Sequence, residues 1–334
     1  MTGFLLLAAA GLLLATGAEL FASNATGAGR RLGVSMLAIG LVLAGAEPEE
    51  LLTAVVATLR HHPALAAGDA VGANVTMLTA VLGLAALLRP VPVGRRVREY
   101  AGAAVVVGLL ALMALVDDRV ARSEGLLLVA GYVVLVAVIW RREHQPPAFG
   151  ELAEVSAATG DPAPIGTGDP APTRTDDVTP AGTDDQPPAT PSRHRPVRRV
   201  LLGIALMTVG GWVAVAGAER VVTVLGVRDS AVGLTFLAFA TTAELFALVG
   251  AAARRGLAEL AVAGIVGSAI YNSTVTLGVA ALARPLRADV LGPAVLAAAL
   301  PAVIVVLGRR GELRRMAGLA LVAAYAAYLF VVLP

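Results

Sequence analysis

Acidic side chains interrupt two long apolar stretches of this sequence, and carboxylates in such a setting can bind cations. Residues 45–50 (Gly-Ala-Glu-Pro-Glu-Glu) lie between two uncharged segments, 34–44 and 51–59. Residues 240–244 (Ala-Thr-Thr-Ala-Glu) form a similar break about two hundred residues later. Hard cations prefer carboxylate, hydroxyl and carbonyl oxygens as ligands. Ionisable residues are costly inside a membrane and usually mark an ion path, so both breaks are candidate cation sites.

The elements that must position these residues are membrane-spanning helices. Of 334 residues, 57% are hydrophobic and only 15% are charged, whereas a soluble domain has about 25% charged residues. There is no cysteine, which excludes disulfides, thiolate nucleophiles and cysteine zinc sites. Hydropathy predicts ten transmembrane spans, at 3–21, 34–59, 64–88, 101–116, 124–140, 199–219, 230–253, 257–283, 288–308 and 315–333.

A polar segment at 141–198 separates two groups of five spans, residues 1–140 and 199–334. It is rich in Pro, Asp, Thr, Gly and Ala, and its five residues at 160–164 recur at 168–172. Such a segment cannot bury enough apolar surface to fold, so we predict a disordered linker.

The arginines indicate how the chain is inserted. Loops after odd-numbered spans, together with the linker ends, hold 18 arginines, and loops after even-numbered spans hold 7, leaving out Arg174 in the middle of the linker. The positive-inside rule therefore predicts a multi-pass protein of the plasma (inner) membrane with a cytoplasmic linker and both termini outside. Because five is an odd number, two related halves would insert with opposite orientations.

Six short matches occur in the same order in both halves. Gly-Ala-Glu at 17–19 recurs at 217–219, and an Arg-Pro pair closes a span at both 89–90 and 284–285. One match would be weak in so biased a composition, but six in order are hard to obtain by chance. The predicted fold is an all-α polytopic membrane protein with ten transmembrane helices arranged as two inverted five-helix α-repeats. Paired broken helices in such repeats indicate a transport site at the membrane midplane.

These motifs resemble those of the sodium/calcium exchanger superfamily of cation antiporters. The family motif reads Gly-Thr-Ser-x-Pro-Glu-Leu, followed about eighteen residues later by Gly-Asn-x-x-Gly-Ser, and the resemblance covers roughly 15–90 and 215–286. It implies a central cation site formed by the second, third, seventh and eighth helices. It also implies exchange of calcium or a similar cation for sodium, potassium or protons.

In the first half, the resemblance places Glu50 at the liganding Glu of the motif and Glu47 at its Ser. Ala73 and Met77 stand where the family has a Ser and an Asn or Asp, so two side-chain oxygens are lost. Glu47 and Glu50 are three residues apart and could face one cavity, where their repulsion favours a bound proton or a doubly charged cation. Glu49 falls at the motif's Pro, and we interpret it as facing water or capping the N-terminus of a half-helix.

In the second half, Thr241 and Thr242 take the Thr-Ser positions, and Glu244 falls one residue short of the Glu position. Ser268 and Asn272 match the later Ser and Asn, and a helix would put both on one face. The predicted metal-ligand set is therefore Glu47, Glu50, Thr241, Thr242, Glu244, Ser268 and Asn272. For the last two, interhelical hydrogen bonding is the alternative interpretation.

Five other polar residues are assigned different roles. Asp69 and Glu259 lie near the starts of predicted helices and are interpreted as interfacial. Asn74 is expected to serve in packing, and Glu19 and Glu219, at helix ends, are expected to be structural.

The sequence thus favours a secondary active cation antiporter that exchanges Ca²⁺ or a similar cation for Na⁺ or H⁺. Its expected partners are the lipid bilayer and small inorganic cations, with no cofactor beyond the transported ions. No phosphate-binding loop or dinucleotide fingerprint occurs, so no nucleotide and no nucleic acid is expected. Two alternatives remain: a degenerate homologue that binds cations without transport, and a membrane enzyme, for which no nucleophile–base pair or metal triad is found.

Overall fold

The computed structural model describes residues 1–31, 47–143, 195–255 and 258–333. The first half contains α1 (Thr2–Arg31), α2 (Pro48–Leu59), α3 (Pro63–Thr76), a π-helical turn π1 (Met77–Val81), α4 (Leu82–Leu88), β1 (Val91–Pro92), α5 (Arg95–Ala114), β2 (Arg119–Val120) and α6 (Arg122–Glu143). The second half contains α7 (Arg195–Leu225), α8 (Asp229–Val232), π2 (Gly233–Leu237), α9 (Ala238–Thr241), α10 (Ala243–Arg255), α11 (Ala258–Tyr271), π3 (Asn272–Thr276), α12 (Leu277–Ala283), β3 (Leu286–Arg287), α13 (Leu291–Leu307), β4 (Glu312–Leu313) and α14 (Arg315–Val332).

The described chain is a helical membrane protein, as predicted. Seven of its helical segments are long and apolar enough to cross a membrane, and two shorter apolar ones are Asp229–Thr241 and Leu291–Leu307. The predicted span 34–59 can be followed only as α2, because residues 32–46 lie outside the described part. The predicted linker also lies mostly outside it, and helices α6 and α7 extend a few residues into 141–198 from either side. The count of ten helices stays a prediction.

The helices α3–π1–α4 and α11–π3–α12 have the same internal plan. In each, a π-helical turn of five residues follows a 14-residue α-helix and precedes a 7-residue one. Both end at an arginine with extended backbone angles, Arg89 (φ −150°, ψ 140°) and Arg284 (φ −156°, ψ 138°). The cause is local, because a proline follows each arginine and disfavours the helical region for the residue before it. All these boundaries are 195 residues apart.

Small residues let the helices of the two halves approach closely. α1 packs along α7, where a Cβ atom added at Gly17 would lie 2.8 Å from the carbonyl oxygen of Gly203. Close backbone packing of this kind drives helix association in membranes, where lipid is as apolar as the side chains.

Two short antiparallel strand pairs link the halves at their loops. β1 pairs with β4, with Val91 opposite Leu313, and β2 pairs with β3, with Arg119 opposite Arg287. Each pair joins one loop of the first half to one loop of the second. The halves are therefore held together both along their helices and at their ends.

Candidate cation site

Two helices, one from each half of the chain, begin close to one another. α2 begins at Pro48, where proline is favourable because the first helical N–H has no partner within the helix. α10 begins at Ala243, directly after a break at Thr242 (φ −91°, ψ 4°). The two starts are 195 residues apart, so each helix carries a glutamate at its second position, Glu49 or Glu244. A carboxylate in the first turn is stabilised by the helix dipole.

Three carboxylates meet at these helix starts. Oxygen atoms of Glu47, Glu49 and Glu244 all lie within 4.8 Å of one another. Glu47 and Glu49 are each only 1% exposed, and Glu244 is partly exposed. The Ser268 hydroxyl on α11 donates a hydrogen bond to Glu47 Oε1. We refer to these three glutamates as the acid cluster.

The acid cluster contains Glu47 and Glu244, which were predicted to be metal ligands, and Glu49, which was predicted to have another role. The interpretation that Glu49 faces water is wrong, because its side chain is buried. Its placement in the first turn of a helix is as predicted. Glu50 is equally buried but is not a member of the cluster. Adjacent helical residues point in directions about 100° apart, which is why Glu49 and Glu50 have different nearest neighbours.

Glu50 lies near the acid cluster and also near Asp69 and Asn272. Neither of its carboxylate oxygens has a hydrogen-bond partner among the described residues. The Thr276 hydroxyl donates to Asn272 Oδ1 over 2.9 Å, and the amide nitrogen of Asn272 has no hydrogen-bond partner among the described residues. The Asn272 oxygen that was predicted to bind a cation therefore accepts a hydrogen bond in this arrangement.

The two predicted threonine ligands lie at the break before α10. The Thr242 hydroxyl donates to the carbonyl oxygen of Ala238 over 2.7 Å and is fully buried. The Thr241 hydroxyl lies 3.2 Å from Asp69 Oδ1 on α3. Both hydroxyl oxygens keep lone pairs that a cation could use.

Asp69, like Glu49, is a buried acid outside the predicted metal-ligand set. Its assignment as interfacial is wrong, because its side chain is 1% exposed and contacts Thr241 inside the protein. A signal was present, since Asp69 stands inside the apolar span 64–88 and occupies the Asn position of the second motif. Glu259, given the same assignment, is exposed.

Two of the other roles assigned from the sequence are confirmed. Asn74 donates to Ser273 Oγ over 2.9 Å and so ties α3 to π3. Glu219 is structural, because it pairs with Arg60 at 3.0 Å and with His62 at 3.1 Å.

The site places several acidic side chains in the interior of the protein. The ion pairs of the described residues include Arg60–Glu219 and Arg228–Asp289, which do not involve the acids of the site. Among the described residues, the hydroxyl of Ser268 donates a hydrogen bond to Glu47. The hydroxyl of Thr241 donates one to Asp69. A hydroxyl cannot neutralise a buried carboxylate, and an uncompensated buried charge is costly. The arrangement therefore favours positively charged ligands.

Close packing of α3 on π2 holds this geometry. A Cβ atom added at Gly72 would lie 2.7 Å from the carbonyl carbon of Leu234. Only glycine allows the two backbones to approach this closely. The contact fixes α3 beside the second half and so sets the separation of Asp69 and Thr241.

Comparison with known proteins identifies the family. The profile of the family described as "Sodium/calcium exchanger protein" matches residues 2–141 and 198–333. The chain belongs to this family. Its relatives include CaxA of Alkalimonas amylolytica, a candidate antiporter, with 29% identity over 91% of this chain and 89% of that protein. They also include the inner membrane protein YrbG of Escherichia coli K12, with 27% identity over 78% of this chain and 74% of that protein.

The fold is that of a solved exchanger. Structures of the sodium-calcium exchanger NCX_Mj match with a TM-score of 0.58, covering 98% of each chain at 20% identity. The resemblance inferred from the motifs is thus confirmed. The chain is an integral membrane protein of a cation-antiporter family, and family and fold indicate a transporter rather than an enzyme.

Proposed function

We propose that this exchanger-family protein is a secondary active antiporter that exchanges Ca²⁺ or a similar hard cation for Na⁺ or H⁺. The observation that carries the proposal is the acid cluster, in which three carboxylates from two helix starts lie within 4.8 Å of one another inside a membrane protein. A hard divalent ion both neutralises such a cluster and uses its oxygens.

The proposed ligand set combines both halves of the chain. It comprises the acid cluster and the polar residues around it, Glu47, Glu49, Glu50, Thr241, Thr242, Glu244, Ser268 and Asn272. Ala73 and Met77 are fully buried and supply no oxygen. Calcium takes six to eight oxygens, so bound water would complete the shell. Fewer protein ligands than in a typical family member are therefore expected.

We further propose that the two halves are inverted repeats and that ten helices span the membrane. The shared helix plan and the constant offset of 195 residues support the repeat. The strand pairs support the topology, because β1 and β4 belong to loops after odd-numbered spans and β2 and β3 to loops after even-numbered ones. Alternating access would then arise when one group of helices rocks against the other around the site.

A topology map tests this arrangement. A reporter fused within residues 150–190 is expected to be cytoplasmic, and a reporter at either terminus is expected to be outside, because the arginine-rich loops stay in the cytoplasm. Protease protection in right-side-out and inverted vesicles gives the same information independently. Termini on the cytoplasmic side would contradict the inverted-repeat proposal.

Flux through purified protein in liposomes tests the function. An outward gradient of sodium or protons is expected to drive calcium uptake above that of protein-free liposomes without ATP, because family transport depends on ion gradients. Sodium, potassium and protons are screened separately as the counter-ion. Uptake that is independent of every counter-ion gradient would contradict antiport.

The loss of side-chain oxygens at Ala73 and Met77 favours one alternative, a homologue that binds cations without moving them. This alternative predicts calcium binding to the purified protein, measured by equilibrium dialysis, together with no flux under any gradient. Antiport predicts both binding and flux, so the two measurements separate the proposals.

A further inference from the structure

An apolar groove lies between α13, α14 and the segment α8–π2 in the second half of the chain. Its volume is about 640 Å³, and its apolar lining includes Leu234, Leu296, Ala324 and Val332. α14 is one of the helices long and apolar enough to cross a membrane. From Val332, at the end of α14, to Ala324 the groove follows this helix for about 12 Å. One leaflet of the hydrocarbon core is about 15 Å deep, so the groove has the length and polarity of a site for a lipid chain.

A hydrogen bond across the groove holds two of its walls together. The Tyr328 hydroxyl on α14 donates to the carbonyl oxygen of Leu234 on π2 over 2.8 Å. The polar end of this tyrosine is thereby satisfied, and its ring adds to the apolar lining. On the third wall, a Cβ atom added at Gly292 would meet no described atom within 4 Å. The groove is therefore an open space between packed helices.

A charged cavity of about 560 Å³ adjoins the groove and shares Arg228, Ser230 and Asp289 with it. The charged residues that line this cavity are four aspartates and three arginines. Arg228 and Asp289 pair with one another, and their side chains are 71% and 65% exposed. An exposed ion pair contributes little to stability, so both charges can be given up to a ligand. The groove and the cavity together offer an apolar part and a part with both signs of charge.

We propose that the groove and the charged cavity bind one phospholipid whose head group carries a phosphate and a primary ammonium, as in phosphatidylethanolamine. An acyl chain would lie in the groove, with the phosphate at Arg228 and the ammonium at Asp289. A guanidinium matches the geometry of phosphate oxygens, and an ammonium has three protons to donate to carboxylates. Because the cavity has one more aspartate than arginines, it disfavours a lipid with a net negative charge. A choline head group has no N–H to donate.

Native mass spectrometry of the purified full-length protein in detergent tests this site. Phosphatidylethanolamine, phosphatidylcholine and phosphatidylglycerol with identical acyl chains are added in turn, and the bound lipid is counted by its mass. Wild-type protein is expected to bind phosphatidylethanolamine about tenfold more tightly than phosphatidylglycerol. Phosphatidylcholine is expected to lie between them, because it keeps the phosphate contact and the positive charge.

Two variants separate the groove from the charged pair. Gly292→Leu would fill the groove and is expected to weaken phosphatidylethanolamine binding about tenfold. Gly131→Leu, in α6, is the matched control, because a Cβ atom added there also meets no described atom within 4 Å. Its binding should equal that of wild type. The double variant Arg228→Gln, Asp289→Asn is expected to bind all three lipids alike, since it keeps the groove and loses the charges.

Three results would overturn the proposal. Equal binding of the three lipids to wild-type protein would show a lipid contact without head-group selection. A folded Gly292→Leu protein that binds phosphatidylethanolamine like wild type would show that the chain lies elsewhere. Binding of soluble glycerophosphoethanolamine as tight as that of the whole lipid would show that the groove is not used. The ranking of the three lipids on wild-type protein needs no variant, so it decides the matter even if a variant does not fold.

Discussion

Glu49→Gln and Glu244→Gln are each expected to lower exchange by about a hundredfold or more. Removing one charge from a group of buried carboxylates that bind a cation costs about 2–5 kcal/mol, and each 1.4 kcal/mol is tenfold in affinity. Glutamine has the same shape, so the loss would come from the charge. Calcium uptake into liposomes that contain each purified variant measures the effect.

Two further variants make this result specific. Glu99→Gln is the control, because its side chain is 57% exposed and pairs with Arg95 one helical turn away. Glu50→Gln is also expected to abolish transport. The Glu50→Gln protein should, however, still bind calcium at the acid cluster, whereas the Glu49→Gln protein should not. If Glu49→Gln and Glu244→Gln both exchange like wild type, the cation site is elsewhere.

Gly72→Ala is expected to destabilise the protein and to abolish exchange. The added methyl group would overlap the backbone of Leu234, so α3 would have to move away from π2. Overpacking of this kind typically costs about 1–3 kcal/mol, and it would also separate Asp69 from Thr241. We expect the melting temperature in detergent to fall by about 5 °C or more.

Gly102→Ala is the matched control for this change. Gly102 is also a helical glycine, in α5, but a Cβ atom added there has no neighbour within 4 Å. Alanine is the better helix former, so this variant should be as stable as wild type or slightly more stable. A Gly72→Ala protein with wild-type melting temperature and flux would show that the close approach of α3 and π2 is not required.

The sequence alone predicted the class of protein and the two places where its chemistry is concentrated. Hydropathy is a local property of composition, so apolar spans and the acids that interrupt them can be read without the fold. The starts and ends of some helices can also be predicted from the sequence, because proline acts on the backbone next to it. Pro48 starts a helix, and the prolines after Arg89 and Arg284 end one, wherever those helices lie.

Only the tertiary structure decided which acids meet. Spacing fixes the angle between Glu49 and Glu50 on their helix, but it does not fix which of them faces the second half. That choice depends on how α2 and α10 pack, and the structure brings Glu49 to Glu244. The family motif, matched residue by residue, had favoured Glu50.

The burial of Asp69 likewise depends on the fold. Near the start of a predicted helix, an aspartate is compatible with an interface or with the interior, because the sequence does not state where the membrane surface lies or what packs there. In the structure, close contact of α3 with π2 removes water from Asp69 and brings Thr241 beside it. Contacts between residues 172 positions apart are made by packing, and no local pattern of the sequence encodes them.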